Sequence, residues 1–378
     1  MSDSKEKQAW FLLHETGLPA ALCGKLVRAN HGAQNVLLLK TGDFESVAGR
    51  GKWTEKFKQI SDKRFKETRL SAYEKAQERG FKYLTEDEFE HCLPSLGETQ
   101  MPFALWVHGK AELLNSEFGA LAIVGTRKAS PYGISAARQF ARGFAARRIT
   151  VVSGMARGID SAAHRATIDA GGTTIACLGT GLFNVYPPEN RSMQEFDIPE
   201  NGLVVSEFPL NTRPEPHNFP RRNRLIAGFS LGVVVIEGRE DSGSLITARL
   251  AAEQGKEVFA VPGAINSEGT CAPHILIKNG AKLVTGIEDV LDEFECFNNR
   301  PQVNDSVKQS QYSSANKTML RTLSFDPVSI DDILEKTKMP LTDAIKTLLE
   351  LETSGDVEQT PSGAYVLARP LNQFAMRS

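Results

Sequence analysis

Seven short runs of mostly β-branched and aliphatic residues, each trailed by a glycine-containing turn and a helical stretch, fill residues 119–296 of this 378-residue chain and predict an α/β fold, a Rossmann-like, mostly parallel sheet covered by helices. Two further observations complete the class. The first 90 residues are rich in helix formers and predict a small helical N-terminal domain. The last segment reads as three amphipathic helices followed by a β-like pair, the order of a C-terminal winged-helix domain.

Taken in order, residues 1–90 carry apolar stretches at Trp10–Leu13 and Val36–Leu39, broken by turns at Thr16-Gly17-Leu18-Pro19 and Thr41-Gly42; a SAM-like or helix-hairpin-helix-like unit fits them. Within them, residues 50–82 hold eleven Lys/Arg against five Asp/Glu, either a solvated helix face or a binding surface. Residues 91–296 form the predicted sheet domain, with strands at Leu121–Val124, Ile149–Val152, Thr173–Leu178, Leu203–Val205, Gly232–Ile236, Glu257–Val261 and Ala281–Val284. Residues 297–316 are polar and read as a linker. In residues 317–378, helices are expected around Thr318–Thr322, Ser329–Thr337 and Leu341–Ser354, then strands Val357–Gln359 and Ala364–Leu367 turned at Pro361-Ser362-Gly363.

Composition narrows the function classes. With 44 Lys+Arg and 46 Asp+Glu the net charge is −2, so global charge does not argue for a polyanionic partner. Five cysteines without a C-x-x-C pair argue against a disulfide scaffold and against a cysteine zinc site. The polar first residues and the lack of an 18-residue apolar run point to a cytoplasmic chain with no membrane insertion.

In a doubly wound sheet, ligands sit outside the carboxyl ends of the strands, where helix N-termini favour anions. The loop after the first predicted strand is Gly125-Thr126-Arg127-Lys128-Ala129-Ser130-Pro131; Ser130 can cap the next helix, and Arg127 with Lys128 places two cations at that end. After the second strand come Ser153-Gly154-Met155-Ala156-Arg157-Gly158-Ile159-Asp160, with Gly154 and Gly158 letting the chain pass under a ligand. Asp160 is either a plain N-cap or a site residue, and His164, one turn further, reads as a packed histidine. Phe219-Pro220-Arg221-Arg222-Asn223-Arg224 is the densest cation cluster, in a span (121–230) where twelve of thirteen basic residues are arginine. Arginine's planar fork suits oxyanions, although any of Arg221, Arg222 and Arg224 could instead pair with Glu207 or Glu237. Ser242-Gly243-Ser244 opens another helix and adds a further set of anion-binding amides. Together these loops predict one electropositive, amide-lined pocket. Phe183, Tyr186 and Phe219 are candidates to stack on bases or to fill the core.

Several motifs are missing from the sequence. No G-x-G-x-x-G follows the first strand, no G-x-x-x-x-G-K-[ST], H-E-x-x-H or G-x-S-x-G occurs, and the lone pair Cys271 and His274 cannot hold a metal. No cofactor, metal or catalytic residue is expected. The region 285–360 has fifteen Asp/Glu against seven Lys/Arg, which opposes duplex DNA binding by the winged module and favours a protein partner or no independent role.

Seven motifs in order between residues 125 and 263 resemble the DNA-processing protein A family (DprA, also called Smf): Gly125-Thr126-Arg127, Ser153–Asp160, Tyr186-Pro187 with Glu189-Asn190, Ser206-Glu207-Phe208-Pro209, Phe219–Gly228, Ser242–Ala248 and Pro262-Gly263. The flanking regions resemble that family's helical and winged modules. The resemblance implies a non-enzymatic, single-stranded DNA-binding recombination mediator of natural transformation that protects incoming strands and helps load the RecA recombinase, as a homodimer. It implies DNA contacts at Arg127, Lys128, Gly154, Arg157, Gly158, Asn190, Phe219, Arg221, Arg222, Asn223, Arg224, Ser242, Gly243 and Ser244. A dimer surface is expected around Leu276, Ile277 and Leu283, next to Thr270–His274, where the sequence departs from the family's Gly-x-Asn pattern.

Two rival readings are weighed. The superfamily also resembles nucleotide-processing hydrolases, but their Pro-Gly-Gly-x-Gly-Thr-x-x-Glu motif is reduced here to Pro262-Gly263-Ala264. A duplex-binding regulator acting through the winged helix is opposed by the acidic count.

Overall fold

The computed structural model describes residues 2–49, 51, 53–115, 119–298, 313–324, 327–360 and 363–367. A nine-stranded sheet in the order β1-β2-β6-β5-β4-β3-β7-β8-β9 forms its centre. The strands are β1 (Phe81–Thr85), β2 (Ala104–Gly109), β3 (Ala120–Val124), β4 (Thr150–Ser153), β5 (Thr174–Cys177), β6 (Leu203–Ser206), β7 (Gly232–Val235), β8 (Glu257–Ala260) and β9 (Lys282–Leu283). From β6 to β9 every neighbour is parallel, as the seven apolar runs predict. Side chains of β3 alternate between two cores: Leu121 and Ile123 pack on one face, Ala120, Ala122 and Val124 on the other. Burial on both faces is why these strands read as continuous apolar runs.

Two strands were not predicted. β1 lies inside the segment read as helical, and β2 adds to it; both join antiparallel at the β6 end, with Tyr83 opposite Trp106 and Trp106 opposite Ser206. The helices before β1 share their core with this part of the sheet. Phe11, Leu13, Phe44 and Ile60 belong to one cluster with Trp106, Ala176 and Val204, and Trp10 stacks on Phe103 with ring centroids 4.3 Å apart. Asp62 caps the helix Lys63–Glu78, accepting the Arg64 N–H at 2.9 Å, and the basic segment 50–82 lies largely on this helix and the turns beside it.

The winged module has the predicted order. Its first helix starts at Ser314, inside the stretch read as linker, because Ser313 caps it through the Asn316 N–H at 3.1 Å. Helices Ile330–Thr337 and Leu341–Thr353 follow, then paired strands β10 (Val357–Gln359) and β11 (Tyr365–Leu367). Met319, Ile333, Leu348, Leu351 and Val357 make its own core. Pro361 and Ser362 of the expected turn lie outside the described residues. Among the described residues no helix is long and apolar enough to cross a membrane.

The strand order reverses between β4 and β7 on either side of β3. A crevice at the carboxyl ends of β3 and β7 is the position this topology offers to a ligand. The loops after β3, β4 and β7, which carry most of the predicted site, all end there.

Candidate functional site

The loop after β3 turns into the helix Pro131–Ala146 through Ser130, whose hydroxyl accepts the Gly133 N–H at 3.0 Å while Pro131 takes the first helical position. The same hydroxyl donates to Glu237 Oε1 at 2.5 Å, and the Ser130 N–H donates to Glu237 Oε2 at 2.9 Å. Glu237 is buried. The helix end expected to receive a phosphate therefore already holds the chain's own carboxylate. Glu237 is also not the partner of any of the three clustered arginines, which corrects that alternative. Arg127 and Lys128 stay exposed beside this end, and neither has a carboxylate partner among the described residues.

The loop after β4 repeats this arrangement. Asp160 does not cap the next helix: it is that helix's second residue, and its Oδ2 reaches back to accept the N–H groups of Gly154 (3.1 Å) and Ala156 (3.3 Å). Burial raises the Asp160 carboxyl, and Arg222 and these amides pull against that rise. Gly158, with φ of 72°, begins the helix where a Cβ would overlap the Thr126 carbonyl. Asn190 is buried, and its amide donates to Met155 O at 2.9 Å and Ser161 Oγ at 2.8 Å. These two bonds hold the loop in place. Arg157 is exposed and paired with Glu189, its Nη2 3.0 Å from Oε2.

The helix Asn218–Gly228 divides its cations among different tasks. Arg222 is buried and donates to the carbonyls of Gly154, at 2.7 Å, and Cys177, tying the ends of β4 and β5 together. A Cβ on Gly154 would lie 2.8 Å from both Arg222 Nη2 and Asp160 Oδ2, so any other residue would have to displace this buried pair. Arg224 is also buried; it donates to both oxygens of Glu207 and, at 2.7 Å, to Gln100 O. Neither Arg224 nor Arg221 lines the cavity described below. Arg221 donates to Glu207 Oε2 at 2.8 Å, lies over the Phe208 ring, and keeps about half its side chain exposed (46 %). Burial would raise the Glu207 carboxyl, but Arg224 and Arg221 outweigh it and hold the group below the ordinary range.

These pieces surround a cavity of about 560 Å³ at the β3–β7 crevice. Arg127, Phe219 and Tyr186 form one wall: the Arg127 guanidinium lies over Phe219 at 5.2 Å, and the two rings are 5.3 Å apart. Arg222 and Asp160 lie at the floor, and Asn223 reaches Gly243 O at 3.4 Å. The opposite rim is Ser242, Gly243 and Ser244, where Ser242 caps the helix Gly243–Glu253 through the Ser244 N–H at 3.3 Å. The Gly243 N–H has no partner among the described residues, so this third helix end keeps a free donor beside the cavity. Three arginines (127, 222, 239) and two aspartates (160, 241) line the cavity, a smaller cationic excess than the segment count predicts. Phe183 is elsewhere, stacked with Arg79 and Phe81.

His164 is packed as expected, its Nδ1 2.6 Å from Thr174 Oγ1. Leu276, Ile277 and Leu283 lie at the β8–β9 edge, far along the sheet order from β1; Leu283 is 47 % exposed, while Leu276 packs against the core. Glu237, the reach of Asp160 back into its own loop, and Arg239 on the rim were not anticipated from the sequence. Glu237 does directly follow a strand run, and an acidic residue at that place is a readable signal.

The family model described as DNA recombination-mediator protein A matches residues 81–295, more than half of the chain, and that of the DprA winged helix domain matches residues 308–363. Protein Smf of Escherichia coli (strain K12) is 40% identical over 281 residues, 72% of this chain and 74% of its own length. The X-ray structure of DNA processing protein A from Streptococcus pneumoniae superimposes with a TM-score of 0.64 at 34% identity, covering 76% of this chain and 98% of its own. A structure of DNA processing protein A from Helicobacter pylori, which describes that protein's single-stranded DNA binding mode, superimposes with a TM-score of 0.51 at 29% identity over 57% of this chain and 96% of its own.

Proposed function

The chain belongs to the DNA recombination-mediator protein A family, and on that premise we propose that it binds single-stranded DNA, protects incoming strands and helps load the RecA recombinase during natural transformation, as a cytoplasmic homodimer and without catalysis. The observation that carries this reading is the distribution of donors around the β3–β7 crevice. One of its three helix ends is closed by Glu237, and Asp160, in the first turn of the helix after β4, takes up the amides of its own loop, as the carboxylates of a nucleotide-phosphate pocket would not. The donors left for a ligand are spread along a track: Arg127, the Gly243 N–H, and Arg221 outside the cavity. Spread donors suit a strand backbone, and backbone contacts position a strand without reading it. Phe219 and Tyr186 supply faces on which a base can stack.

In this reading Arg127, Lys128, Arg157, Phe219, Arg221, Asn223 and Ser242–Ser244 meet the strand. Gly154, Gly158, Asn190, Arg222 and Arg224 shape the surface that they share. Leu276, Ile277 and Leu283 meet a second copy, and the acidic winged module meets a protein or nothing.

The test is fluorescence anisotropy of a labelled oligonucleotide, single-stranded and duplex, over a salt series. Single strands should bind more tightly than duplex, with log affinity falling by about 0.7 per phosphate contacted for each unit of log salt. Tighter duplex binding, or no binding of either form, would overturn the reading.

A further inference from the structure

The first helix, Ser2–Glu15, ends against the segment that follows β6. His14 Nε2 lies 2.9 Å from the Glu207 carbonyl, and Glu15 Oε1 accepts the Leu210 N–H at 3.1 Å. Both side chains are buried, and Glu15 is paired with Arg69 of the helix Lys63–Glu78 at 3.4 Å. The first helix thus grips both ends of the Glu207–Leu210 turn, with Arg69 of the helix Lys63–Glu78 bracing Glu15. Inside that turn, Ser206 Oγ accepts the Phe208 N–H at 3.1 Å, and Phe208 lies under Arg221. The turn's one outward function is the Glu207 carboxylate, which receives Arg221 from one side and Arg224 from the other.

The grip is more than packing requires. The neutral His14 that burial enforces carries its proton on Nε2 in order to donate to Glu207 O, which leaves Nδ1 buried with no partner among the described residues. An unmet nitrogen costs more than an apolar ring of the same size would. An apolar residue at position 14 would fill the same space without that cost, but it would not hold the carbonyl of residue 207. We propose that His14 and Glu15 are positioning residues for the arginine helix: they fix the Glu207 carboxylate, which in turn orients Arg221 and Arg224, so the N-terminal helices set the affinity of the DNA surface.

This inference rests on the proposed function and deepens it, by giving the N-terminal helices a role in regulating that surface. A protein that binds these helices and shifts the end of the first one would change DNA affinity without touching the cavity.

The experiment is a double-mutant cycle on the full chain, with affinity for a fluorescent oligothymidine read by anisotropy. His14→Phe is expected to weaken binding about three- to tenfold, the equivalent of one lost hydrogen bond. In a Glu207→Gln background it should cause no further loss, and His14→Gln, whose amide can still donate to the carbonyl, should bind like wild type. A His14→Phe protein that is folded and binds like wild type overturns the inference, as does an equal loss in both backgrounds. If His14→Phe does not fold, Glu15→Met, which removes the acceptor of the Leu210 N–H, carries the same cycle. Wild type that binds no oligothymidine defeats the proposed function and this inference together; wild type that binds with no coupling to Glu207 defeats this inference alone.

Discussion

The carboxylate of Glu237 accepts the backbone N–H of Ser130 at 2.9 Å, so the helix end that Rossmann-like proteins present to a nucleotide phosphate is closed by an internal anion. The pairing bridges 107 positions of sequence.

Removing that anion should reopen the helix end. Glu237→Ala leaves the Ser130 hydroxyl and N–H without their acceptor and is expected to cost about 1–3 kcal/mol in urea unfolding. Inorganic phosphate should then stabilise the variant and leave wild type unmoved. Equal stabilisation of both proteins would show that the site was never closed.

Arg127 and Arg222 should fail in different ways. Arg127 is exposed and has no carboxylate partner among the described residues, so Arg127→Ala is expected to weaken binding to all single strands alike and to flatten the salt dependence by about 0.7, with its melting point unchanged. Arg222→Met removes a buried cation that faces Asp160 and two carbonyls, and should destabilise the fold by about 3 kcal/mol. An Arg127→Ala protein that loses binding to one sequence only would contradict backbone contact.

The winged module should be dispensable for the strand. A chain ending at residue 299 is expected to bind single-stranded DNA within about twofold of full length, since phosphate attraction is what an acidic module lacks. A large loss on this truncation would refute the argument from charge.

Acid should destabilise the chain through two buried histidines. Burial lowers His14 from 6.5 to about 4 and, with Arg222 adding to it, His164 to about 3. As pH falls through 6.5 the unfolded chain takes up these protons and the folded chain does not, so stability is lost with falling pH until the folded groups titrate, near 4 and 3 respectively. His14 alone accounts for roughly 3 kcal/mol between pH 7 and 4. Urea unfolding at pH 7, 6 and 5 should show the slope, and His14→Gln should reduce it. A pH-independent midpoint above pH 5 would refute this account.

The parallel strands β3 to β7 were legible because both faces of each are buried, which leaves an unbroken apolar run before a turn; β8 and β9 at the edge are partly exposed and were legible from their apolar ends. β1 was not: in Phe81–Thr85 it alternates inward Phe81, Tyr83 and Thr85 with exposed Lys82, directly after a charged helix, and five residues are too few to separate that pattern from one more helical turn. In the site, the residue types were legible and their partners were not. Arg221 and Arg224 meet Glu207 from 14 and 17 positions away, and Asp160 turns back on its own loop, pairings that depend on how chain segments fold together and leave no period in the sequence.

The core that runs from Phe11 and Leu13 through Trp106 to Val204 has no gap between helices and sheet, and no residue of the winged module enters it. In a calorimeter the chain should therefore melt as two objects where its sequence suggests three domains, with residues 2–298 giving one cooperative heat-absorption peak and residues 313–367 a smaller one of their own.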